Sequence, residues 1–214
     1  MKNTHIRWTA SLIALFVAVT TAYAGGWAIV TVKDFPDYAV AGKPLALTFT
    51  VRQHGVTLME GLKPSVRFKT PFSQESKSAA TPTANKGEYS ADLNLAQAGE
   101  WTIVIDSGFN AIATTLPPLK VIPSGTPSPM PLSETTRGDR LYTAKGCNGC
   151  HAYQGVGPDL TTKHFSEDYL KRFLADPAGT LKRPAKPEYG QMPNLNLKQE
   201  EIAALATFLI TKGD

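Results

Sequence analysis

Leu45, Leu47, Phe49 and Val51 alternate with Ala46, Thr48, Thr50 and Arg52, the period of two that buries one face of a β-strand. Tyr89, Ala91, Leu93 and Leu95 alternate in the same way with Glu88, Ser90, Asp92 and Asn94. Trp101, Ile103 and Ile105 repeat the pattern after the turn signal Ala98-Gly99. Weaker strands are expected near Trp27–Lys33, Ser65–Lys69 and Leu119–Ile122. About six or seven short strands separated by turn residues predict an antiparallel, immunoglobulin-like β-sandwich over 25–122. Both cysteines of the chain lie beyond this region, so its core rests on Trp, Phe and aliphatic packing without an inter-sheet disulfide.

The pattern changes after Pro123. Pro123, Pro127, Pro129 and Pro131 fall within nine residues, which excludes regular helix and sheet ladder alike. Residues 123–132 are expected to be a semi-rigid linker. Beyond it the apolar spacing becomes helical, and 133–214 predicts an all-α domain. Ser133 can cap a helix running toward Lys145. Ser166 can cap a second, with Glu167 and Asp168 favourable in its first turn and an end before Pro177. Asn196 and Gln199 offer a capping-box-like start to a last helix, whose Ile202, Leu205 and Leu209 form one stripe with Phe208 beside it. Roughly eighty residues is a small helical core on its own, and a bound apolar group would extend it.

The first residues read as a secretory leader rather than as part of the fold. Lys2 and Arg7 precede an apolar run from Leu12 to Val19, and Ala22-Tyr23-Ala24 offers a cleavage site. The expected division is therefore a signal peptide over 1–24, the sandwich, the linker and the helical domain. The run is short for a membrane span, so membrane association is expected only if the leader stays uncleaved. The implied location is exported, in the periplasm or on the outer face of the cytoplasmic membrane. Without Lys2 and Arg7 the formal charge of +4 falls to +2. No basic stripe marks a nucleic-acid binder. The short basic run Lys182, Arg183 and Lys186 could at most steer an acidic partner.

The chemistry of the chain concentrates at Cys147-Asn148-Gly149-Cys150-His151. C-x-x-C-H is the attachment pattern of a c-type haem. Helical spacing puts Cys147 and Cys150 on one face, where both sulfurs reach the edge of one macrocycle, and His151 follows as the candidate proximal ligand. A plain disulfide or a redox dithiol would use the same two cysteines. A zinc site would need further ligands. The expected cofactor is one haem c, covalent through Cys147 and Cys150. For the second axial position Met192 is the candidate, in the loop Gly190-Gln191-Met192-Pro193. Met130, His164 and an open position are the alternatives. His/Met ligation saturates the iron and raises its potential, which favours one-electron transfer over substrate chemistry.

With these residues in place, 133–212 resembles a class I monohaem cytochrome c. Gly138-Asp139-Arg140-Leu141-Tyr142, Gly155-Val156-Gly157-Pro158-Asp159-Leu160, Gly190-Gln191-Met192-Pro193-Asn194 and Glu201-Ile202-Ala203-Ala204-Leu205 carry the likeness. The resemblance implies that Gly138 meets Phe208 where the first and last helices cross. It also implies that the Pro158 carbonyl accepts a hydrogen bond from the His151 imidazole. Lys198 departs from the pattern by standing where such helices often have a Ser or Thr cap, which leaves capping to Asn196. The N-terminal half is similar to YtkA-like (FixH-like) exported sandwiches through Gly26-Trp27-Ala28, Val51-Arg52-Gln53-His54-Gly55 and Ala98-Gly99-Glu100-Trp101. Some relatives of that kind handle copper, but His54 with Met59 makes a weak soft-ligand set and reads better as a polar loop.

Three functions are compatible with these readings. The first is an electron carrier, not itself an enzyme, that passes single electrons between redox partner proteins, with the sandwich as a docking module. The second is the haem-bearing subunit of an exported redox enzyme, such as a peroxidase, which would need an open axial site. The third is a copper- or partner-binding assembly protein whose haem senses redox state.

Overall fold

The structure is a computed structural model that describes residues 26–160, 163–181 and 191–213. The leader expected over 1–24, the basic run Lys182, Arg183 and Lys186, and Gly190 lie outside the described residues. The N-terminal half is all β and the C-terminal half is helical.

The strongly alternating segments form the central strands. They are β3 (Pro44–Gln53), β8 (Glu88–Asn94) and β9 (Gly99–Asp106). The weaker patterns form β1 (Ala28–Val32), β5 (Ser65–Lys69) and β11 (Leu119–Ile122). Five further strands are short: β2 (Tyr38–Val40), β4 (Thr57–Leu58), β6 (Ser76–Ala79), β7 (Thr81–Pro82) and β10 (Ala113–Thr115). One sheet runs β1-β3-β8-β7 with β4 on β3, and the other runs β2-β11-β9-β5-β6 with β10 on β9. Every pairing is antiparallel except β2 with β11, where Lys120, Val121 and Ile122 lie opposite Tyr38, Ala39 and Val40. That pair departs from the expected antiparallel sandwich; the chain passes from β1 in one sheet to β2 in the other before making it.

Leu47, Phe49, Val51, Leu93, Leu95, Ile103 and Ile105 are fully buried between the sheets. Burying each such side chain contributes on the order of 1.5–3 kcal/mol before chain entropy is set against it. The largest polar core group is also satisfied: the Tyr89 hydroxyl donates to the Met59 carbonyl at 2.9 Å and accepts from the Leu62 amide at 3.1 Å.

After β11 the residues 123–133 contain neither helix nor strand. Helix α1 (Glu134–Ala144) starts at Ser133, whose side chain accepts from the Thr136 amide. Helix α2 (Glu167–Ala175) starts at Ser166 in the same way. It stops before Pro177, and a single turn, α3 (Pro177–Thr180), follows under an Asp176 cap. Helix α4 (Gln199–Gly213) closes the chain. Its start differs from the Asn196–Gln199 expectation. Asn196 adopts a left-handed conformation at φ 51°, outside the helix. The Lys198 carbonyl accepts the first helical bond, from Ile202, and Glu201 reaches back to the Lys198 amide at 3.0 Å. The cap thus sits two residues later and is one-sided: Glu201 supplies the acidic half of a capping box, and Lys198 has no side-chain oxygen to supply the other half.

The helical core gathers Leu141, Tyr142, Leu170, Leu174, Ile202, Leu205 and Leu209. Helices α1 and α4 cross at Gly138, where a Cβ would overlap the Ala204 carbonyl oxygen and press on Phe208. Close approach of this kind needs a residue with no side chain at the crossing. Tyr142 and Phe208 pack beside it, with ring centroids 5.5 Å apart.

The two halves are fastened together. Ala144, the last residue of α1, belongs to the sandwich core. Lys145 is 4% exposed. Its ammonium pairs with Glu201 at 2.7 Å and donates to the Lys33 carbonyl. Arg137 makes a two-pronged pair with Asp37. Arg140 lies 5.0 Å over the Phe35 ring and donates to the Pro36 and Pro118 carbonyls. Lys198 pairs with Asp34 at 2.7 Å. Four cations of the helical half therefore meet carboxylates, carbonyls or an aromatic face supplied largely by the segment that follows β1.

Candidate haem site

Helix α1 ends immediately before the two cysteines. Its last carbonyls are met by the Lys145 amide, which donates to Leu141, and the Gly146 amide, which donates to Thr143. Gly146 takes φ 77°, the left-handed conformation that terminates a helix and favours glycine. The backbone re-enters a helical turn at Cys147 and widens into a π-turn over Gly149–Tyr153. The i→i+5 bond from the Gln154 amide to the Gly149 carbonyl marks the widening. Such turns often occur where a helix must present side chains to a functional site.

Cys147 packs against the helical core, and Cys150 lies on the π-turn. Both are half-buried thiols with no disulfide between them. Burial, then the neighbouring Cys150, pushes the Cys147 thiol up to about 12. Burial also raises Cys150. Both thiols are therefore neutral at ordinary pH, unlike the low-pKa thiolate of a redox dithiol.

His151 is held by its neighbours on the following loop. Its Nδ1 lies 2.9 Å from the Pro158 carbonyl oxygen, which can only accept, so Nδ1 carries the proton. The second ring nitrogen, Nε2, is thereby left with its lone pair, the form needed to bind a metal. Burial lowers the imidazole pKa, against the opposing effect of the Pro158 bond, which favours this neutral form. The loop is closed by the Gly157 amide, which donates to the Cys150 carbonyl at 3.0 Å. A Cβ on Gly157 would stand 2.6 Å from Nδ1, so the backbone itself forms a cradle for the ring. Two adjacent neutral thiols and an imidazole with a fixed tautomer fit the donor set of a covalent haem. Gly157→Val is expected to push the ring off Pro158, to cost about 1–3 kcal/mol and to reduce covalent haem incorporation. Thermal unfolding and a haem stain of denatured protein measure the two effects; wild-type values in both would refute the cradle.

Met192 is half-buried against the same apolar cluster that Cys147 touches. Its segment, 191–198, has no regular structure, and Asn194 anchors it to the Ala175 carbonyl at 3.4 Å. Met130 is 89% exposed on the connector. The His164 backbone abuts Gly213 at the end of α4. In the sandwich, Met59 packs against the core and the His54 ring lies 5.5 Å from Trp27. Met59 thus lies on the loop after β4, partly buried against the sandwich core, while His54 is exposed. Among the described residues no three His, Cys, Asp or Glu side chains gather into a metal cluster.

Several contributors carry no signal that sequence reasoning picks out. Ile29 of β1 covers the attachment segment: a Cβ on Gly146 would lie 2.5 Å from its Cγ2, and one on Gly149 would overlap its Cδ1. Those two glycines read as ordinary turn residues until the opposing strand is in view.

The helical half is a cytochrome c domain, which carries haem c covalently, and Cys147 and Cys150 have the spacing for its two thioethers. Residues 133–209 match the family described as cytochrome C oxidase, cbb3-type, subunit III. No curated protein matches the chain.

Proposed function

We propose that this protein is an exported cytochrome that passes single electrons between redox partner proteins, with His151 and Met192 as the axial ligands and Pro158 as the group that orients His151. The proposed limits are a leader over 1–24, the sandwich over 25–122, a connector over 123–132 and the haem domain over 133–214. Haem supplies a one-electron Fe(III)/Fe(II) couple. The residues of the chain do the rest: Cys147 and Cys150 bind, the Pro158 carbonyl fixes the tautomer of His151, and the apolar cluster around Leu141, Tyr142 and Met192 excludes water. The observation that carries this reading is the bond from His151 Nδ1 to Pro158, which presents Nε2 unprotonated. His151 and Met192 together would hold the iron and leave no place on it for a substrate, which favours a carrier over a peroxidase.

Met192→Ala is expected to abolish the methionine–iron charge-transfer band of the oxidised protein and to give a high-spin spectrum. An unchanged spectrum would assign the sixth ligand elsewhere. The family match favours a second reading, a haem-bearing subunit of a larger oxidase. Co-purification of oxidase subunits with the full-length chain would support it over a freely diffusing carrier.

A further inference from the structure

We infer that the β-sandwich is a wall of the haem site and that Arg52 is the positioning residue through which it acts, holding a fixed positive charge toward the attachment segment. This rests on the electron-transfer reading above. Along β1, Ala28, Val30 and Val32 point into the sandwich core and are 5% exposed or less. Ile29 and Thr31 point to the opposite face, which in an isolated sandwich would meet water. Thr31 is nevertheless buried and Ile29 half-buried, because the segment between α1 and the π-turn covers them. The Thr31 hydroxyl donates to the Lys145 carbonyl at 3.2 Å, two residues before Cys147. Ile29 lies against Gly146 and Gly149, on either side of that cysteine. The turn after β3 adds a third contact, since a Cβ on Gly55 would be 3.1 Å from Cys150 Sγ.

Arg52 stands behind this contact. It lies opposite Ile29 in the β1–β3 ladder, and Thr50 lies opposite Thr31. One guanidinium nitrogen, Nη1, donates to Thr50 Oγ1 at 2.6 Å and to Thr31 Oγ1 at 3.2 Å. A continuous relay thus runs from the guanidinium through the Thr31 hydroxyl to the Lys145 carbonyl. Among the described residues no carboxylate pairs with Arg52, and burial alone lowers its pKa. Arginine stays charged even so. An uncompensated, half-buried cation is screened less than one in water. Oxidised iron carries one more positive charge than reduced iron, so this cation disfavours the oxidised state and raises the midpoint potential.

The experiment compares purified full-length holoprotein with Arg52→Gln and Arg52→Lys, reading the midpoint potential by spectroelectrochemistry and attachment by haem stain. Arg52→Gln is expected to lower the potential with the axial-ligand spectrum unchanged, and Arg52→Lys to stay near wild type. An unchanged potential in Arg52→Gln, or an equal fall in both variants, would overturn the inference. If Arg52→Gln does not fold, Thr50→Glu serves instead: it keeps the guanidinium but pairs it with a carboxylate, and the same fall is expected. Wild-type protein without covalent haem would overturn the functional reading and this inference together. Haem-bearing protein whose potential ignores the charge would overturn this inference alone.

Discussion

Lys145→Met is expected to lower the stability of the protein by about 3–5 kcal/mol. The Lys145 ammonium sits in the seam, 2.7 Å from Glu201, with side chains 3% and 10% exposed. Methionine fills much of the same volume, so little of the loss is packing. What remains is a buried carboxylate that still accepts from the Lys198 amide, together with a Lys33 carbonyl that has lost a donor. A buried charge without its counter-ion is costly, whereas replacing both partners by apolar groups is often near neutral. Lys145→Met with Glu201→Leu is therefore expected to recover most of the loss. Equilibrium denaturation of the three proteins gives the coupling directly. A single variant as stable as wild type would show that this pair does not fasten the halves.

Gly138→Val is the second large effect expected, about 3 kcal/mol of destabilisation, the upper part of the range for forcing volume into a packed core. The α1–α4 contact is set by the absence of a side chain at 138, since a Cβ there would overlap the Ala204 carbonyl oxygen. Valine adds two further methyl groups in the same direction. The helices can admit them only by separating, which loosens the Tyr142–Phe208 pair and the cluster that also holds Cys147 and Met192. Gly138→Ala is an informative control, because alanine gains about 1 kcal/mol of helix propensity that partly offsets its clash. Thermal unfolding of the haem-loaded protein ranks the three. A valine variant within about 0.5 kcal/mol of wild type would mean that the crossing is soft.

The long strands were legible because a two-residue period survives wherever one face is buried and the other wet. Leu47, Phe49 and Val51 show it, and all three are fully buried. β2, β6, β7 and β10 were not legible. They are two to four residues long, too short to show a period, and held by neighbouring strands rather than by their own pattern. Ser133 and Ser166 announced their helices through a local bond between side chain and backbone. The start of α4 did not, because Glu201 supplies it from inside the helix. The attachment motif was readable from five consecutive residues. The seam was not, since Lys145 and Glu201 look like ordinary surface charges until residues more than fifty positions away in sequence are brought against them, and Arg52 does so until β1 is paired beside it. Ile29 reads as one more strand residue, and only its register reveals that it faces away from its own core.

The contact of Ile29 with Gly146 and Gly149 limits how this architecture can be rearranged by recombination. A cytochrome unit carrying alanine at 146 would meet the Val30 carbonyl as well as Ile29 and could not be grafted unchanged onto this sandwich, whereas alanine at 149 would meet only the movable end of Ile29. The two units are thus heritable as a matched set rather than as interchangeable parts, even though a proline-rich joint separates them along the chain.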